Sequence, residues 1–257
     1  MLLNNKVCIV TGAASLRSIG YATAELFATQ GARLAIVDIA LDDSALADIA
    51  KSIANKTGIE PDVHGVVCDI QNASDCGRAI DKIIERFGSI DCLVNCAGIV
   101  KAQSMMAIGE SDYDQIMNIN LKGTFNICRS VLDVFIKQQS GAIVNLASVA
   151  AQRGGGLVGG AHYAASKGGV ISLTKSIARE FGPQGVRANV ICPSMVETGM
   201  LDGNLTPEQF SQIVAGIPLK RAGRPSDIAG ACLFLASDLS AYVTGTTIDV
   251  NGGSHIH

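Results

Sequence analysis

The sequence predicts an α/β protein in which a doubly wound parallel sheet carries helices on both faces. Short apolar, β-branched runs alternate with longer helical patterns along the whole chain. The runs are apolar throughout, as is typical of strands that are buried on both faces. Strand–helix alternation at this spacing indicates parallel strands.

Seven runs are predicted to be strands, and six longer stretches are predicted to be helices. The strands are Val7–Val10, Leu34–Val37, Val63–Cys68, Ile90–Val94, Ala142–Leu146, Arg187–Ile191 and Thr247–Val250. The helices are Ile19–Gln30, Asp42–Lys56, Ala73–Phe87, Ser111–Gln138, Ala161–Phe181 and Pro225–Ala236. Because no repeat, low-complexity tract or long linker interrupts this pattern, we expect a single domain over residues 1–257.

The longest irregular segment covers about residues 194–219. It contains Met195, Met200, Leu201, Phe210 and Ile213. Apolar residues in a long connection are typical of a functional loop, so we interpret this segment as a lid over a substrate pocket.

The composition argues against several classes of partner. Hydrophobic residues make up 48% of the chain and charged residues 17%, which indicates a large buried core. A net charge of −3 without a basic cluster argues against nucleic-acid binding. No apolar run approaches the roughly 20 residues that span a membrane, and no secretory signal is recognisable. We therefore expect a cytoplasmic protein.

Eight cysteines raise the question of disulfides or a metal site. Cys8, Cys68, Cys92 and Cys192 lie in or beside apolar strand runs, where thiols behave as small hydrophobic groups. No Cys-x-x-Cys pair with histidine ligands is present. The interpretation is buried, reduced thiols and no metal.

A glycine-containing turn joins the first predicted strand to the first helix. Gly12 ends the strand and Gly20 opens the helix. Such a turn lets the backbone approach a pyrophosphate at the positive helix end. Asp38 ends the second strand, where its carboxylate can accept hydrogen bonds from ribose hydroxyls. Taken alone, Asp38 could equally be the N-cap of a helix.

Further polar residues follow the next two strands. Asp69 ends the third strand, and Asn95-Cys-Ala-Gly98 ends the fourth. Ligands of parallel sheets bind beyond the carboxyl ends of the strands. Together these residues indicate a nucleotide site at that edge of the sheet.

Tyr163 and Lys167 lie four residues apart in a predicted helix and therefore share one face. A phenol of ordinary pKa about 10 is a poor base at neutral pH, and a neighbouring cation favours its ionised form. Lowering the pKa to about 7 takes roughly 4 kcal/mol, which a near-contact cation in a partly dry pocket can supply. Taken alone, the pair could also be a surface tyrosine beside a solvated lysine.

The order and spacing of these residues resemble the short-chain dehydrogenase/reductase family over nearly the whole chain. The matching positions are Thr11-Gly12, Asp69, Asn95 to Gly98, Asn120, Ser148, Tyr163, Lys167, Pro193 to Thr198 and the C-terminal Val-Thr-Gly-Thr-Thr-Ile-Asp-Val-Asn-Gly-Gly. The resemblance implies a Rossmann-type seven-stranded sheet and a nicotinamide dinucleotide. It also implies a homotetramer with the long helices and the C-terminal segment at the interfaces.

The resemblance implies a role for each of four polar residues. Tyr163 would be the general acid/base, and Lys167 would lower its pKa and bind the nicotinamide ribose. Ser148 would polarise the substrate oxygen, and Asn120 would bind a water that links Lys167 to solvent. Taken alone, Ser148 could be a turn hydroxyl and Asn120 a polar partner at a helix kink.

The same resemblance assigns residues to the cofactor, with Asp69 beside the adenine and Val196 and Thr198 near the nicotinamide. The implied set is Gly12, Ser15, Ser18, Ile19, Asp38, Asp69, Ile70, Asn95, Ala97, Gly98, Tyr163, Lys167, Pro193, Val196 and Thr198.

Two departures from the family pattern bear on the chemistry. The glycine turn is two residues longer than usual and carries Ser18 at its middle glycine, as in the enoyl-acyl-carrier-protein reductases. That branch separates its tyrosine and lysine by six residues, whereas three intervene here, so a carbonyl/alcohol site is expected. Ser194 replaces a glycine that usually follows Pro193, which affects the path of the loop beside the nicotinamide.

Asp38 and Arg17 indicate different cofactors. Asp38 would repel a 2′-phosphate and favour NAD, whereas Arg17 occupies a place where the family often holds that phosphate. An exposed ion pair contributes only about 0–1 kcal/mol. We therefore expect NAD, with NADP as the alternative.

The expected activity is NAD(H)-dependent interconversion of a secondary alcohol (a polyol, a sugar or a small cyclic alcohol) and its ketone. The first alternative is an NADPH-dependent 3-oxoacyl-thioester reductase, and the second is an enoyl reductase. A catalytically silent dinucleotide sensor is a further hypothesis, which the complete Asn-Ser-Tyr-Lys set disfavours.

Four other polar residues near the motifs are interpreted without a catalytic role. His162 is expected to face away from substrate, because adjacent helical residues point about 100° apart. Lys101, Gln152 and Arg153 are interpreted as solvated loop residues, although they could bind a polar or anionic substrate.

Overall fold

A seven-stranded parallel sheet lies between two layers of helices in the computed structural model, which describes residues 1–58, 60–203 and 205–257. The strands are β1 Val7–Thr11, β2 Arg33–Asp38, β3 Val63–Val67, β4 Cys92–Asn95, β5 Gly141–Leu146, β6 Val186–Pro193 and β7 Thr247–Val250. Their order is β3-β2-β1-β4-β5-β6-β7, and all neighbouring strands are parallel. The predicted fold class is confirmed.

The helices divide between the two faces of the sheet. They are α1 Ile19–Thr29, α2 Asp43–Thr57, α3 Ala73–Phe87, α4 Glu110–Met117, α5 Thr124–Gln138, α6 Ala150–Arg153, α7 Ala161–Phe181, α8 Pro207–Ala215 and α9 Pro225–Ala236. One face packs against α1, α2 and α9 around the fully buried Phe27, and the other packs against α3, α5 and α7 around Phe135. The chain order reverses between β1 and β4, which opens a crevice at their carboxyl ends.

The single helix predicted over Ser111–Gln138 is wrong in its middle. A π-helical turn at Asn118–Gly123 separates α4 from α5. The Thr124 hydroxyl donates to the Asn120 carbonyl at 2.7 Å, while the Asn120 side chain is directed out of the helix. Extra turns of this kind are frequent at functional sites.

The segment at residues 194–219 is not irregular throughout, because it contains α8. The Thr206 hydroxyl accepts from the Gln209 amide at 3.2 Å, and the Gln209 side chain accepts from the Thr206 amide at 2.9 Å. Pro207 occupies the first helical turn. The pattern Thr-Pro-Glu-Gln is a capping box, so the sequence did contain this signal. Closure of the segment as a lid stays a prediction.

Two expectations from composition can be compared with the structure. All eight cysteines are described and none forms a disulfide, and all but Cys96 are buried, which agrees with the interpretation as buried thiols; their reduced state stays a prediction. No helix in the described part of the chain has the length and apolar character needed to cross a bilayer.

Candidate active site

The carboxyl ends of β1 and β4 meet at the floor of the crevice. The Thr11 hydroxyl donates to Asn95 Oδ1 at 2.7 Å and accepts from the Ala97 amide at 3.1 Å. Gly12 has φ +67°, and a Cβ there would lie 2.7 Å from the Ala97 backbone. Only glycine fits this approach. These residues therefore shape the floor on which the loop after β4 lies.

The turn between β1 and α1 ends in a helix N-terminus that suits an anion. The Ser18 hydroxyl accepts from the Tyr21 amide at 2.9 Å and caps α1, which explains why a serine is tolerated at this position. A Cβ on Gly20 would lie 2.5 Å from the Gly12 carbonyl oxygen, so turn and helix are in close contact. The positive end of α1 fits the pyrophosphate of a dinucleotide.

Asp38 faces this turn. Its carboxylate accepts from the Ala14 amide and from the Ala40 amide, each at 3.0 Å. The alternative that Asp38 caps a helix is wrong, because Asp42 is the N-cap of α2. The carboxylate is therefore held beside the turn, where a ribose is expected.

Arg17 makes a two-point ion pair with a carboxylate on the opposite side of the crevice. Its guanidinium donates to Asp202 at 2.6 and 3.0 Å, and both side chains are exposed. Asp202 lies in the segment interpreted as a lid. The charge of Arg17 is thus already paired, and the pairing links the glycine turn to that segment.

The residues assigned to the adenine lie at the end of β3. Asp69 accepts from the Gln71 amide at 3.0 Å. Asn126 of α5 donates to the carbonyls of Ile70 and Gln71 at 2.9 and 3.1 Å. This loop is therefore fixed to α5, and contact of Asp69 and Ile70 with an adenine stays a prediction.

Tyr163 and Lys167 share one face of α7 and line one cavity of about 410 Å³ together with Ser148. The Lys167 ammonium donates to the Leu146 carbonyl at 2.8 Å, so α7 is tied to the end of β5. Its nitrogen lies 6.0 Å from the centre of the Tyr163 ring. The predicted helix and the shared face are confirmed, and the alternative of a solvated surface pair is wrong.

Asn120 lies behind this pair and does not line the cavity. Its amide accepts from the Ile99 amide and donates to the Ile99 carbonyl, both at 2.9 Å, and donates to the Ser166 hydroxyl at 3.2 Å. The π-helical turn thereby holds the loop after β4 against α7. A Cβ on Gly98 would lie 3.1 Å from Asn120 Oδ1 and 3.4 Å from Lys167 Nζ. The implied link through water stays a prediction.

Burial dominates the electrostatics of the pair. It raises the pKa of Tyr163, an effect that a hydrogen bond with Ser148 opposes. It also lowers the pKa of Lys167 to about 8, opposed by Cys96 and Cys192. The expectation that Lys167 brings the tyrosine pKa down to about 7 is not met by the protein alone. The ammonium is directed at a carbonyl and lies 6.0 Å from the ring centre, so its attraction for a phenolate does not outweigh the burial of Tyr163.

Only some of the residues that the resemblance assigns to catalysis and to the cofactor line the cavity. Those that line it are Ile19, Gly98, Ser148, Tyr163, Lys167, Pro193, Val196 and Thr198. The remaining cofactor candidates do not line it and belong to the glycine turn and the strand ends: Gly12, Ser15, Ser18, Asp38, Asp69, Ile70, Asn95 and Ala97. The donors and acceptors along this edge fit a nicotinamide dinucleotide, and the placement of its nicotinamide end in the cavity stays a prediction.

Beyond Tyr163 the walls of the cavity are mostly apolar. The apolar side chains include Val149, Leu157, Val158, Met195, Met200, Leu201, Ile213 and Ile217, and Arg153 and Ser194 are among the polar residues of the lining. Sequence patterns did not indicate Gln212 of α8 or Ser254 of the C-terminal segment, which also line it. Tertiary packing alone brings these two residues there.

Two unusual positions next to the site are explained by their contacts. The Ser194 hydroxyl donates to the Asn251 carbonyl at 2.9 Å, so the serine binds the C-terminal segment without displacing β6 from β7. His162 is buried and does not line the cavity, as expected. Burial lowers the pKa of His162, with Asp112 opposing.

A parallel seven-stranded sheet with a Tyr-x-x-x-Lys pair beside the carboxyl end of β5 is typical of a nicotinamide-dependent oxidoreductase. The chain belongs to the short-chain dehydrogenase/reductase family, because a family model described as enoyl-(acyl carrier protein) reductase matches residues 12–255. An uncharacterized short-chain type dehydrogenase/reductase of Sinorhizobium fredii is 43% identical over 100% of both chains. A 3-oxoacyl-[acyl-carrier-protein] reductase of Thermotoga maritima is 38% identical, over 98% of this chain and 99% of the relative. The crystal structure of a levodione reductase superposes with a TM-score of 0.90 at 32% identity and 98% coverage of both chains.

The buried Lys167 predicts a dependence of stability on pH. The pKa of Lys167 is about 8 in the folded protein and 10.5 for a solvated lysine, so between these values the unfolded chain binds more protons and stability rises with pH. Relative to a Lys167→Met variant, the wild-type free energy of unfolding should rise by about 2–3 kcal/mol from about pH 7 to pH 10. Urea denaturation of both proteins measures this difference, and parallel curves would contradict it.

Proposed function

We propose that the protein is an NAD(H)-dependent oxidoreductase that interconverts a secondary alcohol and its ketone. The supporting observation is that Ser148, Tyr163 and Lys167 line one cavity with the predicted nicotinamide residues Val196 and Thr198. A silent dinucleotide sensor would have no need for this arrangement of acid/base groups around a cavity with room for substrate.

In this mechanism the substrate oxygen lies between Ser148 and Tyr163. Ser148 donates a hydrogen bond to that oxygen, and Tyr163 gives it a proton in ketone reduction or removes the alcohol proton in oxidation. The bound cofactor supplies or accepts the hydride. Because burial raises the pKa of Tyr163, its phenol is retained as a proton donor at neutral pH, and oxidation should need a more alkaline solution.

Support for NAD comes from the two charged residues of the adenosine end. Asp38 is fixed beside the turn by two backbone amides, where its charge would meet a 2′-phosphate. Arg17 would have to leave Asp202 to neutralise that phosphate.

The apolar cavity walls favour a small cyclic or apolar-chain alcohol over a polyol or a sugar. A structural relative is named for levodione. The specific alternative is an NADPH-dependent 3-oxoacyl-thioester reductase, which the name of the Thermotoga maritima relative supports. Enoyl reduction, the description of the matching family model, is less well supported, because three residues instead of six separate Tyr163 from Lys167.

The tyrosine role is tested by Tyr163→Phe, which removes the proton donor and keeps the ring. We expect NAD-linked turnover of secondary alcohols at about pH 9 to fall by roughly 10²–10⁴-fold with cofactor binding retained. Calorimetry measures that binding. The matched control is Tyr113→Phe, on the exposed face of α4. Equal turnover by wild type and Tyr163→Phe would refute the assignment.

The cofactor preference is tested by Asp38→Ala. Removing a like charge beside a 2′-phosphate should narrow the ratio of kcat/KM for NAD over NADP by roughly 10- to 100-fold. Asp43→Ala, an exposed carboxylate in the first turn of α2, serves as control. If the wild-type enzyme strongly prefers NADP, Asp38 does not determine the preference between NAD and NADP.

We also propose a homotetramer. Phe125 is 46% exposed in a surface groove that Met117, Leu121 and Leu173 also line, and Tyr242 near the C-terminal segment is fully exposed. A second copy would cover the groove with the same apolar side chains.

Light scattering should give about 106 kDa, four times the 26.6 kDa of one chain. Phe125→Asp, which places a charge in the groove, should reduce the mass to that of a smaller assembly. Val67→Asp, a similar change at the exposed end of β3, should not. A monomeric wild type would refute the proposal.

A further inference from the structure

The charged side chains that line the cavity are all positive. Among the described residues that line it, only Lys167 and Arg153 are charged, and both are cationic. Lys167 is occupied by the Leu146 carbonyl at the catalytic end. Arg153 ends α6, and its guanidinium reaches the C-terminal segment instead. The substrate part of the cavity therefore carries one positive charge against apolar walls.

Arg153 differs from the other two polar residues that the sequence placed near the site. Lys101 forms an ion pair with Asp112, and Gln152 donates to Asp249 at 2.8 Å. Arg153 donates to the Ser254 carbonyl at 3.1 Å and has no salt bridge within the ranges 1–58, 60–203 and 205–257. A guanidinium has five N–H donors, so most of them are left for a ligand.

Ser254 provides a second, independent observation. It lines the cavity, and its hydroxyl is buried without a hydrogen-bond partner in the part of the chain that is described. A buried hydroxyl without a partner is costly, and rotation of the Ser254 side chain towards the cavity would let a ligand oxygen satisfy it. The Ser254 carbonyl accepts a hydrogen bond from Arg153, so the Ser254 hydroxyl lies close to the Arg153 guanidinium.

The segment that carries Ser254 is fixed before any ligand binds. Asn251 accepts from the Gly253 amide at 2.8 Å and donates to the His255 carbonyl at 2.9 Å. The Asp249 carboxylate accepts from Gln152 and lies 3.0 Å from His257, and it does not line the cavity. Asp249 is thus paired with Gln152 of α6 and with His257 rather than with Arg153, and the backbone that carries Ser254 is held in place by these contacts.

We propose that Arg153 and Ser254 form a carboxylate subsite and that the natural substrate is an oxo acid or the corresponding hydroxy acid. Its carboxylate binds the guanidinium and the Ser254 hydroxyl, its short apolar body contacts the cavity walls, and its carbonyl lies at Ser148 and Tyr163. Arginine suits this task because its fork of donors matches a carboxylate. The inference rests on the ketone-reductase function proposed above and specifies its substrate class.

The test compares oxo acids with neutral analogues of the same length. Acetoacetate, levulinate and their methyl esters are reduced with NADH by wild type, Arg153→Gln, Arg153→Lys and Ser254→Ala. For the better acid, Arg153→Gln should raise KM roughly 10- to 100-fold with little change in kcat, and Ser254→Ala should raise it less. Arg153→Lys should recover part of the loss. The KM values of the esters should stay unchanged.

The matched control is Arg179→Gln, an exposed arginine in the last turn of α7, roughly 24 Å along the helix from Tyr163. Its KM values should equal those of wild type. As a readout without an oxo group, propionate should compete with the neutral esters in wild type but not in Arg153→Gln.

Two outcomes separate this inference from the proposed function. If wild type reduces acids and esters with equal KM, or if Arg153→Gln changes both alike, the carboxylate subsite is refuted while the reductase function stands. If wild type binds neither NAD nor NADP and reduces no ketone, the function itself fails and the subsite with it.

Discussion

The hydrogen bond between the Lys167 ammonium and the Leu146 carbonyl is the contact on which the site depends. It joins α7 to the end of β5 and holds a cation that is only 6% exposed at the wall of the cavity. Burying an ammonium is costly unless it is hydrogen-bonded. The glycine at position 98 and the Asn120 clamp on Ile99 leave no space for another side chain beside it. These contacts therefore determine the position of Lys167. The position of Tyr163 follows because it lies four residues earlier on the same face of α7.

The same burial decides the direction of the proton chemistry. A desolvated lysine with a pKa of about 8 carries less charge than a solvated one at alkaline pH, and the tyrosine pKa lies above its ordinary value. The protein alone thus supplies a proton donor, as ketone reduction requires. In the oxidised cofactor the nicotinamide ring adds a positive charge that would favour the phenolate, so the protein and its cofactor together set the basicity of Tyr163.

Features that depend on local periodicity could be predicted from the sequence. Features that depend on contacts between distant residues could not. The strands and the shared face of Tyr163 and Lys167 follow from patterns within a few residues, and the structure has them. The π-helical turn at Asn120 could not be predicted, because it depends on Ile99, twenty-one residues away. Ser254 reaches the cavity only because β7 pairs with β6 and directs the C-terminal segment across α6. The capping box of α8 is a local signal, so the start of this helix is predictable from the sequence.

The two arginines flanking the site show why the type of a residue does not define its role. Arg17 lies in the serine-containing turn before α1, whereas Arg153 ends α6 just before three glycines, and both could bind an anion. Arg17 meets Asp202, so an incoming 2′-phosphate would have to break an existing ion pair. Arg153 meets only a carbonyl oxygen among the described residues, and a backbone carbonyl satisfies one donor without neutralising the charge. An anionic substrate group could therefore bind at Arg153 without displacing a carboxylate of the protein, whereas at Arg17 it could not. The partner already present, more than the charge itself, determines which arginine is available to a ligand.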